Sequence, residues 1–417
     1  MRLALDGDEH STWFTCEQGI GSVSDSLAAL SLLPAMRVGA PLELPEPVSP
    51  RLLSAIPRIQ DVYHAWDRDR FNLVTVLTET RREKHTLPAP GVGCLFSGGL
   101  DSFYTLLKHR DKVTHLIFAD SYDIPLRDTA RRERAVSVAR TVADELGMTL
   151  IEVHTDLQLF TRDVGVMWQD YHGAALAALA LLFQDRLGRV MIPASFSYAD
   201  LFPWGSHPML DPLWSTEQTA IEHSGCEATR VEKAGYVSTH PVAMKNLRVC
   251  SAHHADYNCG HCEKCLRTMI NLRAAGASDR CETLPEELDP ETIASLSLEG
   301  ENGRAYALEN LRALEKLGTE PELAHALHTA FENSFGGEQL RRKLDATRTE
   351  LLETRKRVHD VGTRHRQNAK RLKSRAEALM MSNEQLKERT VELKMSNNSL
   401  AEANAHLEGH FSSRRYR

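Results

Sequence analysis

The sequence predicts an α/β protein organised around a doubly wound parallel sheet. Three features carry that prediction. Strand-like and helix-like runs alternate from Gly91 onward, a Gly-containing turn falls at the first strand–helix junction, and the alternation ends before a long seven-residue repeat. The chain divides accordingly into an α/β leader (1–90), an α/β domain (91–283), a segment of short helices (284–338) and a coiled coil with its tail (339–417). At 417 residues, 42% hydrophobic and 26% charged, it has ordinary globular composition and enough apolar side chains for a sizeable core. A net charge of −7 exerts no overall pull toward nucleic acid.

In the leader, Asp25 is placed to cap a helix through SLAALSLLPAMRVG that closes at Gly39. Ser49 followed by Pro50 opens a second helix, PRLLSAIPRIQDVYHAW, and RFNLVTVLTET reads as a strand. No catalytic constellation appears here. From Gly91 the strands GVGCLF, THLIFAD, TLIEVHTD and RVMIPASFS alternate with the helices SFYTLLKH, RRERAVSVARTVADELG and WQDYHGAALAALALLFQDRLG. In a parallel sheet of this kind ligands bind beyond the carboxyl ends of the strands. The longest apolar stretch, residues 174–183, is too short to span a bilayer, and no opening segment has a signal-peptide layout. A cytoplasmic protein is expected, so its eight cysteines point to metal or buried thiols before disulfides.

The turn reads LFSGGLDSFY at residues 95–104. Glycines let the backbone approach a ligand, and the free N–H groups of a first helical turn point at it. Ser97, Gly98, Gly99, Leu100, Asp101 and Ser102 thus form a candidate phosphate-binding loop, with hydroxyls from both serines and a carboxylate from Asp101.

A second motif, CSAHHADYNCGHCEKC, occupies residues 250–265. Cys250, Cys259, Cys262 and Cys265 can close a tetrahedral, structural Zn²⁺ site, with Gly260 easing the knuckle. His253, His254 or His261 could replace one cysteine ligand, and an iron–sulfur cluster is the competing use. Between the motifs, the segments at 168–174 and 202–216 are rich in aromatic and polar side chains. They nominate His172, Trp204, Ser206, His207 and Asp211 as the lining of a substrate pocket, against the plainer reading of a rigid loop with buried aromatics.

SGGLDS resembles the pyrophosphate loop of the N-type ATP pyrophosphatases, and within that superfamily the C…CGxCxxC arrangement followed by Arg is similar to cyano-deazaguanine synthase. The order also fits: SGGLDS, a second strand ending at Asp120, a basic helix ending LG, TRVEKAGYV and then CGHCEKCLRT. The resemblance covers residues 91–278. It implies an adenine nucleotide alpha-hydrolase-like fold, ATP and Mg²⁺ at residues 97–102, Zn²⁺ on the four cysteines, and catalytic roles for Asp101 and Lys233. The implied reaction is adenylation of a carboxylate or amide-like oxygen with release of pyrophosphate, followed by attack of ammonia or an amine. The chain departs from the family's substrate segments, so the acceptor, a small molecule or a macromolecule, stays open. Two alternatives stand beside this. One is tRNA thiolation, for which Cys226 is the candidate thiol. The other is an ATP-binding scaffold that recruits a partner. Asp101→Ala and Ser97→Ala are both expected to abolish pyrophosphate release with the fold intact.

In the tail, positions 344, 351, 358, 365, 372, 379, 386, 393, 400 and 407 hold Leu, Leu, Val, His and then six Leu. That heptad predicts a coiled coil. The other core position carries Arg341, Arg348, Arg355, Gly362, Ala369, Ala376, Asn383, Thr390, Asn397 and Asn404, so a marginal homodimer or a pairing with a partner helix is expected. The stretch 355–375 is strongly basic, a solvated coiled-coil face or else a contact for nucleic acid or an anionic surface.

Overall fold

The computed structural model describes residues 1–5, 7–80, 87–250, 257–336, 372–376 and 378–405. Its central sheet has six strands: β1 (Phe14–Thr15), β2 (Gly91–Leu95), β3 (His115–Ala119), β4 (Thr149–Thr155), β5 (Leu187–Pro193) and β6 (Ala220–Ser224). They lie in the order β6-β5-β2-β3-β4-β1, and every neighbouring pair is parallel except β1 with β4. Alternate side chains of each strand enter opposite cores. Leu95, Ile117 and Val190 pack into one, Cys94, Phe96, Leu116 and Phe118 into the other.

The first core is closed by α1 (Ser24–Val38), α2 (Pro50–Trp66) and α5 (Trp168–Leu181), with α1 lying against α5. On the second face lie α3 (Leu100–Lys108), α4 (Thr129–Leu146), α6 (Arg230–Val237) and α7 (Glu263–Ala274). The helical segment adds α8 (Gly300–Leu317) against α7 and α9 (Pro321–Phe331) against α8. Residues 1–336 form one compact unit, so the leader shares a core with the sheet.

The helix signals act in two ways. Ser49 caps α2 by accepting from the Leu52 N–H at 3.1 Å, with Pro50 at the first helical position. Asp25 does not cap α1. It is fully buried inside the first turn, where its carboxylate accepts from the Ser49 N–H at 2.8 Å and the Gln184 amide at 3.1 Å. The expected strand RFNLVTVLTET shrinks to Val76–Leu77, paired with Leu42–Glu43, because the Gln60 side chain takes both backbone groups of Val74. Two strands of the central sheet lacked a sequence signal. β6 is one, and β1 is the other, its entry fixed by Asp156, which accepts from the Thr12 hydroxyl and the Trp13 N–H.

In the second unit, residues 372–376 and 378–405 are helical. Heptad positions 372, 379, 386, 393 and 400 fall on this helix. Positions 344, 351, 358, 365 and 407, and residues 355–371 of the basic stretch, lie outside the described residues. Among the described residues no helix is long and apolar enough to cross a membrane.

Candidate functional site

The chain leaves β2 toward β3 on one side, while β5 lies on the other, so the connections diverge between β2 and β5. That divergence opens a crevice at the carboxyl ends of the strands. The loop from Ser97 to Ser102 sits there. Gly98 has φ +76°, a conformation that disfavours any side chain. Gly99 is the N-cap of α3 and supplies no side-chain acceptor to its first turn. The first N–H groups of α3 are therefore left to a ligand or water. The Ser97 hydroxyl accepts from the Gly99 N–H at 3.3 Å, and the Ser102 hydroxyl donates to the Gly99 carbonyl at 2.9 Å.

Arg248 fixes the loop from outside. Its N–H donates to the Gly98 carbonyl at 2.8 Å, and its guanidinium donates to the Ser97 carbonyl at 2.9 Å and to Asp123 at 2.6 Å. Asp101 is held from α6. Arg230 bonds one carboxylate oxygen at 2.5 Å and Lys233 the other at 3.2 Å. Lys233 is 1% exposed and also donates to the Ala194 carbonyl at 2.7 Å, so it ties α3 to the end of β5. Burial works to raise the Asp101 pKa, but Arg230, then Lys233 and Arg267, hold it below the usual carboxylate range. The helical segment closes this network. Tyr306 of α8 carries the Arg267 guanidinium 3.6 Å from its ring centre, and Glu309 accepts from the N–H groups of Arg230 and Val231.

The crevice widens into a cavity of about 300 Å³. Leu95, Ile117, Leu176 and Leu179 give it an apolar floor, and Tyr122 and Trp168 meet edge-on at 5.5 Å in its wall. Ser97, Asp101, Asp123, Ser195 and Lys264 supply polar groups. The Lys264 ammonium makes no hydrogen bond or ion pair among the described residues, so it is available to a ligand.

Of the five residues expected to line a substrate pocket, His172 is in this cavity wall. Its Nδ1 lies 3.1 and 3.0 Å from the Trp168 and Gln169 carbonyls and must donate; its Nε2 accepts from the Ser206 N–H at 3.2 Å. Burial lowers its pKa, in keeping with a neutral ring. Trp204 packs edge-on against His172 at 5.1 Å. Ser206, His207 and Asp211 instead complete the loop's own interior. The fully buried Asp211 carboxylate accepts from the Ser206 hydroxyl at 2.7 Å, the His207 N–H at 3.2 Å and the His223 ring at 2.7 Å. Close approach makes this possible, since a Cβ on Gly173 would stand 1.8 Å from the Gly205 carbonyl oxygen.

His223 provides a test of that interior. Burial alone would lower its pKa, but the hydrogen bond to Asp211, aided by Cys226, raises it to about 9. The pair's contribution is fully present below the unfolded-state pKa of ~6.5 and is lost as pH rises through about 9. Urea midpoints are expected to fall across that window in the wild type more steeply than in His223→Gln. Parallel curves would remove the pair as the source.

The four cysteines converge as the spacing predicts. Their sulfurs all lie within 4.8 Å of one another, with Cys250–Cys262 at 3.8 Å and Cys259–Cys265 at 3.9 Å. Four sulfurs about 2.3 Å from one ion stand ~3.8 Å apart in a tetrahedron, so the observed spacing fits a single metal ion. Gly260, at φ +76°, turns the knuckle, and the Cys259 sulfur accepts from the N–H groups of His261 and Cys262. Asn258 braces it, accepting from the N–H groups of Val249 and Cys250 and donating to the Leu247 and Thr283 carbonyls. His253 and His254 lie outside the described residues.

Sequence reasoning missed Arg230, Arg248, Asp123, Lys264 and Tyr306. Lys264 had a local signal, lying between two of the clustered cysteines in CEKC, and Arg230 follows the Thr229 cap of the capping box in TRVEK. The others come from distant segments and carry no local pattern. Compared with protein-family models, curated proteins and solved structures, the chain matches none.

Proposed function

We propose that this chain is an ATP-dependent adenylating enzyme of the N-type ATP pyrophosphatase kind, with an adenine nucleotide alpha-hydrolase-like domain. The observation that carries the reading is the uncapped SGGLDS turn at the divergence of the sheet, opening on a cavity with an aromatic wall and a free ammonium. Tyr122 and Trp168 suit a planar base, and the α3 N–H groups with Lys264 suit its phosphates. Asp101 and Lys233 act as positioning residues, because each is engaged by the other and Arg230 fixes their geometry. Mg²⁺ accompanies ATP and is held by phosphate oxygens together with few carboxylates. Asp123 is the candidate, since its Oδ1 is engaged by none of the described residues. Zn²⁺ on the four cysteines is structural, because four protein ligands leave no open position.

In the reaction an acceptor oxygen attacks the α-phosphorus, the bond to the β-phosphate oxygen breaks, and pyrophosphate leaves. An amine then displaces AMP from the activated acceptor. Developing charge on the phosphates is met by the loop N–H groups and Lys264. The thiolation reading is weakened by access, because Cys226, at 3% exposure, is closed to a macromolecular substrate.

Product analysis tests the proposal. Protein with ATP and Mg²⁺ is incubated with and without carboxy-deazaguanine and ammonium, and AMP, ADP and pyrophosphate are separated. AMP and pyrophosphate that appear only with the acid identify the cyano-deazaguanine synthase branch. AMP formed with another carboxylate keeps the chemistry and moves the acceptor. Absence of AMP with every acceptor, despite ATP binding, would favour a scaffold.

A further inference from the structure

The helix at 378–405 sorts its charges by face. With Leu379, Leu386, Leu393 and Leu400 as the seam, the second core position falls on Asn383, Thr390, Asn397 and Asn404. Every charged side chain flanking that seam between 378 and 405 is basic: Lys387, Arg389 and Lys394. Just upstream in the same register, Lys373 and Arg375 continue the pattern. The acidic residues Glu384, Glu388, Glu392 and Glu402 all fall on the opposite side. The leucines are 60–66% exposed, and the three flanking cations make no ion pair among the described residues. Thr390 donates its hydroxyl to the Leu386 carbonyl at 2.6 Å, so its layer brings no unsatisfied donor.

We infer that this seam is built for a partner helix whose own flanking positions are acidic, and not for a second copy of the chain. In a parallel homodimer Arg389 would face Lys394 of the other copy, and in an antiparallel one basic flanks would again meet basic flanks. No flanking acid exists in the described helix to relieve this. The asparagine layers set further requirements. Buried Asn opposite Leu leaves its amide unpaired, so the partner runs parallel and presents polar residues opposite Asn383 and Asn397. Leucines supply the attraction, the asparagines fix register, and the cations select the partner and reject self-pairing.

The test uses the full chain and two synthetic peptides of about 35 residues. Both carry Leu and Asn in the matching layers; one has Glu at every flanking position, the other Lys. The chain is expected not to self-associate through this segment at micromolar concentration. It should bind the Glu peptide one-to-one, more weakly as salt rises, and leave the Lys peptide unbound. The triple variant Lys387→Glu, Arg389→Glu, Lys394→Glu should weaken the Glu peptide by about tenfold or more and gain the Lys peptide. Leu386→Asp with Leu393→Asp should abolish binding of the Glu peptide without touching the cations. Three results overturn the inference. One is a wild-type dimer that the double aspartate variant converts to monomer and that ignores the Glu peptide. Another is equal binding of both peptides. The third is RNA binding that survives the aspartate variant while neither peptide binds.

Discussion

Asp101→Ala is expected to abolish AMP formation and also to lower the unfolding free energy by about 3–5 kcal/mol. The sequence alone predicts the first effect and an intact fold. The ion network changes the second, because Arg230 and Lys233, whose side chains are 5% and 1% exposed, would be left buried without their carboxylate. Ser97→Ala separates the two effects. Ser97 is exposed and its hydroxyl bonds only within its own turn, so loss of that hydroxyl should leave the urea midpoint unchanged while AMP formation drops by about a hundredfold. A double variant sharpens the argument. Adding Arg230→Met to Asp101→Ala removes one orphaned cation and should recover part of the lost stability, and none of the activity. Asp101→Ala unfolding at the wild-type midpoint would show that the network carries no stability. AMP formation at wild-type rate in either single variant would remove the loop from the chemistry.

The fold and the candidate site were legible to different degrees, for physical reasons. Strand–helix alternation, the SGGLDS turn and the cysteine spacing are local patterns set by backbone geometry, and they locate the sheet, the crevice and the cysteine cluster. Partners that are distant in sequence leave no such trace. Arg248 reaches back 151 positions to the Ser97 carbonyl, and Arg230 reaches 129 to Asp101. The segment at 202–216 shows the reverse error. Its tryptophans, prolines and polar side chains suggest a binding surface, yet Ser206, His207 and Asp211 satisfy one another and His223 inside the loop. A dense polar pattern marks a satisfied interior as readily as a site, and only packing tells them apart. Strand β1 lay hidden for a third reason. Two residues are too few for periodicity, and Asp156 rather than propensity holds them at the sheet edge.

Stripping the metal is expected to unfold the knuckle and to weaken ATP binding together. Structural metal sites contribute their binding energy to folding, so removing the ion forfeits that energy and leaves four thiols crowded within 4.8 Å. Cys262 and burial already push the Cys265 thiol above its ordinary value, an environment that favours thiolates only when a cation neutralises them. The effect reaches the loop through a short stretch of chain. Arg248 stands two residues before Cys250, and Asn258, beside Cys259, holds the N–H groups of Val249 and Cys250. Slack in the knuckle therefore frees the guanidinium that grips the Ser97 carbonyl. Elemental analysis should find one zinc per chain, and Cys259→Ser or chelation should lower ATP affinity by about tenfold, some 1.4 kcal/mol, alongside a lower melting temperature. Arg248→Ala should reproduce the affinity loss with the metal retained. If chelated protein binds ATP as the metal-loaded form does, Arg248 is positioned by Asp123 alone, and the knuckle stabilises the domain without tuning the site.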